Sequence, residues 1–106
     1  MQPVALTQTQ TSKLEIKSMP AYQISYDLRK QKDYASLIER IKSYGTWCHP
    51  LESTWIIVTT QTATQVRDYL KAVMDNDDGL LVTGLRGDGA WYGLSDNISQ
   101  WLKNNL

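Results

Sequence analysis

The chain has 106 residues, with eleven basic and eleven acidic side chains, one cysteine and one histidine. That length makes one domain with one modest core, and a zero formal charge removes any general electrostatic pull toward RNA or DNA, so such a partner would need a local patch. A lone Cys48 excludes an internal disulfide, and no apolar run approaches the ~20 residues of a membrane span.

The first eighteen residues, with Thr-Gln-Thr-Gln-Thr-Ser inside them, hold few large apolar groups and lack the basic start and apolar block of a secretory signal. They predict a cytoplasmic protein. Residues 1–19 read as a flexible tail and 20–106 as the domain. The other reading of the tail is an added edge strand from Lys13 to Lys17, where Leu14 and Ile16 alternate with charge.

Ala21 to Leu28 alternates apolar and polar residues, which predicts the first strand. Tyr22, Ile24, Tyr26 and Leu28 fall on one face; Gln23, Ser25 and Asp27 fall on the other. A basic loop, Arg29-Lys30-Gln31-Lys32, comes next. Asp33 then stands as an N-cap before Tyr34, Leu37, Ile38, Ile41 and Tyr44, so an amphipathic helix is expected over Asp33 to Tyr44, with Gly45 as its left-handed terminator.

Thr46 to His49 reads as a short strand broken by Pro50, and Ser53 to Thr60 has the β-branched and aromatic content of a central strand. Thr62 and Gln65 form a capping box, followed by Val66, Tyr69, Leu70, Val73 and Met74 at helical spacing. That predicts a second helix over Ala63 to Met74. The acidic run Asp75, Asp77, Asp78 reads as its solvated end, and Leu80 to Leu85 as a fourth strand. Gly84 to Leu94 then predicts a turn into a short fifth strand, and Ser95 caps a last helix carrying Ile98, Trp101 and Leu102.

Strand, helix, strand, strand, helix, strand is the order of a ferredoxin-like α+β sandwich, here with a short C-terminal strand and helix. Both crossover helices take the Ile24 face. The Gln23, Ser25, Asp27 face must then meet water, a partner subunit or the C-terminal elements.

Three features also resemble a known family: the Ile24-Ser25-Tyr26-Asp27-Leu28 strand end, Ser53-Thr54-Trp55 leading into the third strand, and the Ala90-Trp91-Tyr92-Gly93-Leu94-Ser95 tail. Over residues 20 to 105 the chain resembles the Cas-two superfamily of small CRISPR-associated and virulence-associated protein D-like proteins, and more closely its stand-alone SinR-type branch. The resemblance implies a ferredoxin-like homodimer. In active relatives it implies a metal-dependent nuclease using the aspartate that ends the first strand of each subunit, which here is Asp27. The chain departs from that pattern in being near-neutral rather than basic.

Two functions follow as expectations. In the first, the chain is a weak metal-dependent endoribonuclease or nucleic-acid-processing protein, with Asp27 binding Mg²⁺ beside a two-fold axis and Arg29, Lys30 or Lys32 touching phosphate. In the second, it is a non-enzymatic dimeric binding module for a protein partner or a small nucleotide-like ligand. Cys48 and His49 are adjacent on a strand and project to opposite faces, so they make no nucleophile and base pair. The glycines of Gly84 to Gly93 lack the Lys-Ser/Thr of a phosphate loop.

Overall fold

The computed structural model describes residues 19–30 and 34–106. The tail and its alternative strand at Lys13 to Lys17 lie outside the described residues, as do Lys32 and Asp33. Among the described residues the elements are β1 (Ala21–Asp27), α1 (Ala35–Lys42), β2 (Trp47–Leu51), β3 (Thr54–Val58), α2 (Ala63–Lys71), β4 (Gly79–Leu85) and α3 (Asp96–Asn105). They build a small α+β domain on one four-stranded antiparallel sheet in the order β2-β3-β1-β4. No helix among the described residues is long and apolar enough to cross a membrane.

The alternation in β1 sorts the molecule into two layers. Ile24 meets Leu37 and Ile41 of α1, Val66 and Leu70 of α2, and Trp55 and Ile57 of β3 in one buried cluster. Six of these residues are wholly withdrawn from water, and each fully buried aliphatic contributes roughly 1.5–3 kcal/mol. This cluster is the chief source of stability.

Helix ends follow local chemistry. Thr62 accepts from the Gln65 N–H at 3.2 Å while the Gln65 side chain accepts from the Thr62 N–H at 2.9 Å, completing the reciprocal cap expected of that pair. At α1 the cap position is held by Tyr34, expected inside the helix, whose carbonyl accepts the first helical N–H groups, those of Leu37 and Ile38. Both crossover helices end earlier than their apolar spacing predicts. The Tyr44 and Gly45 amides, and those of Val73 and Met74, reach back only three residues, tightening the last turn, and Gly45 then reverses the chain at φ +85°.

The strands differ from expectation at their edges. Pro50 does not break β2 but lies within it, which is tolerated because β2 is an outer strand and is bulged between Cys48 and Leu51. Among the described residues there is no fifth strand. Residues 86–95 are irregular because Gly87 and Gly93 take φ of +88° and +78°, outside the extended region.

That irregular segment carries α3 onto the second face of the sheet. Ser95 caps the helix by accepting from the Ile98 N–H at 3.2 Å. Leu102 then packs with Ala21, Cys48, Ile56 and Val58, joined by Trp91, Leu94, Ile98 and Trp101. The second face is therefore covered at the end where β1 begins. The half nearer Asp27, with Ser25 and Thr54 half-buried and Thr83 exposed, lies outside that cluster.

Candidate functional site

Asp27 is the last residue of β1, opposite Gly79 of β4, and its side chain is 72% exposed. Arg29 folds back over it. Its Nε donates to Asp27 Oδ2 at 3.2 Å, its Nη1 to the Asp77 carbonyl at 2.6 Å, and its backbone N–H to Asp78 Oδ1 at 2.8 Å. Lys30 Nζ stands 3.3 Å from Asp77 Oδ2. A methyl group at Gly79 would lie 3.1 Å from Arg29 Nη2, so the bare backbone there leaves the guanidinium its room.

Asp27, Arg29 and Lys30 are thus brought together, as the sequence suggests, but in company it does not suggest. The acidic run after α2 is not simply a solvated helix end. Asp78 accepts from the Arg29 N–H, from the Tyr34 hydroxyl at 3.0 Å and from the Asp75 N–H at 2.9 Å, tying the β1–α1 loop to the α2–β4 loop. Burial first, then the hydrogen bond to Asp78, raises the Tyr34 pKa above its ordinary value.

The chemistry of this donor set does not suit Mg²⁺ within one chain. Among the described residues no three His, Cys, Asp or Glu side chains gather around a point, and one oxygen of Asp27 is engaged by a guanidinium whose charge opposes a cation beside it. The cations intended for phosphate are likewise paired, Arg29 with Asp27 and Lys30 with Asp77.

The uncovered half-face has a different character. Ser25 Oγ and Thr54 Oγ1 share a hydrogen bond at 3.2 Å, and Gln23 Nε2 donates to Ser25 Oγ at 3.3 Å. Leu81 pairs with Ser25 on one side and Leu51 with Thr54 on the other, so one row across the sheet reads Leu81, Ser25, Thr54, Leu51. Both leucines are more than half exposed, at 58% and 59%. Beside them a cavity of about 240 Å³ opens under the irregular segment, lined by Gln23, Thr54, Leu51, Trp91 and Leu94 among others. Trp91 Nε1 donates to Ser99 Oγ at 3.0 Å, fixing the cavity's roof to α3. Alternation in β1 assigns Gln23 and Ser25 to this face; neither leucine is signalled, because Leu81 belongs to the apolar run of the fourth strand and Leu51 follows Pro50, beyond the short strand that reads from Thr46 to His49.

Cys48 and His49 point apart as expected. Cys48 is buried under α3, and burial pushes its thiol up to about 11. His49 stacks on Trp55 with ring centroids 3.8 Å apart, and its Nε2 donates to the Glu52 carbonyl at 3.0 Å. Trp47 packs against the same Trp55, with centroids 5.3 Å apart. No protein-family model matches the chain, and no solved structure gives a significant match.

Proposed function

We propose that the chain is a ferredoxin-like domain of the Cas-two-like kind, working in the cytoplasm as a dimeric, non-enzymatic binding module. Its binding surface is the half-face of Leu81, Ser25, Thr54 and Leu51, and its ligand is a protein. The fold reading is supported by the strand order β2-β3-β1-β4 with both crossover helices against the Ile24 face.

The observation that carries the function is the exposure of Leu51 and Leu81 on either side of a hydrogen-bonded Ser–Thr pair. Apolar side chains around a small satisfied polar centre make a surface that gains by leaving water without stranding a donor. Size separates the two ligand classes. Small-molecule pockets run to about 300–1,000 Å³, whereas the cavity here is about 240 Å³ and continues into an open face.

The test uses the purified chain and an apolar fluorophore, anilinonaphthalene sulfonate. Native protein should bind it, and Leu51→Asp with Leu81→Asp should remove most of the signal without changing the circular dichroism. Incubated with single-stranded RNA and Mg²⁺ or Mn²⁺, the wild type should cleave no faster than Asp27→Asn. Cleavage lost in Asp27→Asn would replace this reading with the nuclease one.

A further inference from the structure

The two edges of the sheet are built differently. β2 is five residues long, contains Pro50 and is bulged, and each of these features discourages another strand from pairing. β4 has seven residues, Gly-Leu-Leu-Val-Thr-Gly-Leu, without a charge, a proline or a break in its register against β1. Among the described residues it carries none of the usual protections of an outer strand.

The register also shows which groups β4 presents. The Tyr26 N–H donates to the Ser53 carbonyl and the Thr59 N–H to the Pro20 carbonyl, so the even-numbered backbone groups of β1 face β3. Alternation turns the odd-numbered groups toward β4, where Ser25 meets Leu81 and Gln23 meets Thr83. Leu80, Val82 and Gly84 therefore direct both N–H and C=O away from the sheet.

We infer that β4 pairs antiparallel with β4 of a second copy of this chain about a two-fold axis at Val82. This deepens the dimeric reading above and rests on it. The pairing sets Val82 against Val82 of the partner subunit and Leu80 against the partner's Gly84, where the missing side chain leaves space. The strand's lack of charge removes like-charge repulsion from the approach. A second copy suits this edge better than an unrelated strand because the assembly closes. The outer strands of the resulting eight-stranded sheet are both β2, which Pro50 and the bulge protect. The axis stands normal to the sheet, so both uncovered half-faces lie on the same side. There Leu81 meets the partner's Thr83, and the two apolar rows join into one platform.

The experiment combines sedimentation of the full chain at high micromolar concentration with residue-resolved amide exchange. The expected result is a mass of two chains, with the Leu80, Val82 and Gly84 amides exchanging at least about tenfold more slowly than upon dilution to monomer. Val82→Pro should make the protein monomeric, since it removes an outward N–H from an edge position where proline is tolerated. Should that variant misfold, Val82→Cys serves. Hydrogen-bonded antiparallel partners sit about 5.5 Å apart between Cα atoms, within disulfide reach, so mild oxidation should link two chains. A dimer with fast exchange at those three amides and no Val82→Cys link overturns the edge assignment while the dimeric reading stands. A monomer overturns both.

Discussion

The backbone N–H of Arg29 donates to the Asp78 carboxylate at 2.8 Å, fastening the loop that leaves β1 to the loop that enters β4. Tyr34 and Asp75 donate to the same carboxylate. A half-buried acceptor serving three donors is costly to remove, because each must find water or remain unpaired. Asp78→Ala should lower the unfolding free energy by about 2–3 kcal/mol, read from urea denaturation with an unchanged slope. A loss below about 0.5 kcal/mol would show that the carboxylate does not hold the loops.

Asp27 should behave in the opposite way. Its ion pair with Arg29 is exposed on both sides, 72% and 52%, and such pairs contribute about 0–1 kcal/mol. Asp27→Asn should therefore shift stability by less than about 0.5 kcal/mol, with the difference shrinking further as salt is raised. A larger loss would reveal a structural task for this carboxylate.

Thr62→Ala removes one half of a reciprocal cap and should cost about 1 kcal/mol. Gln65→Ala removes the other half. In a double-mutant cycle the two losses should be less than additive, since both report on one paired contact.

Cys48 gives a test of the second layer. Its thiol is raised from 9.0 to about 11 by burial, so the folded state holds the proton more tightly than the unfolded chain. The linked stability is fully present below pH 9 and is lost as pH rises through about 11. Cys48→Ala should flatten that part of the alkaline stability profile. Labelling of the native thiol by a disulfide reagent at pH 8 should also run at least about a hundredfold slower than in urea. Comparable rates would mean that α3 does not cover Cys48.

Leu102→Ala should cost about 2–5 kcal/mol, as expected for a core leucine, although it lies in the last helix and on the face opposite the main core. The same variant should accelerate Cys48 labelling, because both residues belong to one cluster. A silent Leu102→Ala would make α3 an appendage.

The main layer was legible in the chain because its signals are local. The period of two in β1, the spacing of Leu37 with Ile41 and of Val66 with Leu70, and the Thr62–Gln65 cap each state their own geometry. The role of Asp78 is not local. In an acidic turn it reads as solvated until the fold brings Arg29 beside it from 49 residues away. The exposure of Leu51 and Leu81 is similarly hidden, since it depends on where the irregular segment after β4 lays α3, and no periodicity encodes that reach. Asp27 ends its strand as the alternation predicts, but Arg29, which reads as part of a basic loop, folds back to pair with it.

Pro50 has a consequence beyond its own strand. A molecule with two unprotected sheet edges can add copies at both ends and grow without limit, whereas one with a single competent edge stops at a pair. With β4 paired as inferred above, Pro50 would spoil β2 as a template and so set an upper bound on particle size, governing how concentrated a solution of the protein remains clear rather than how firmly any one molecule is folded.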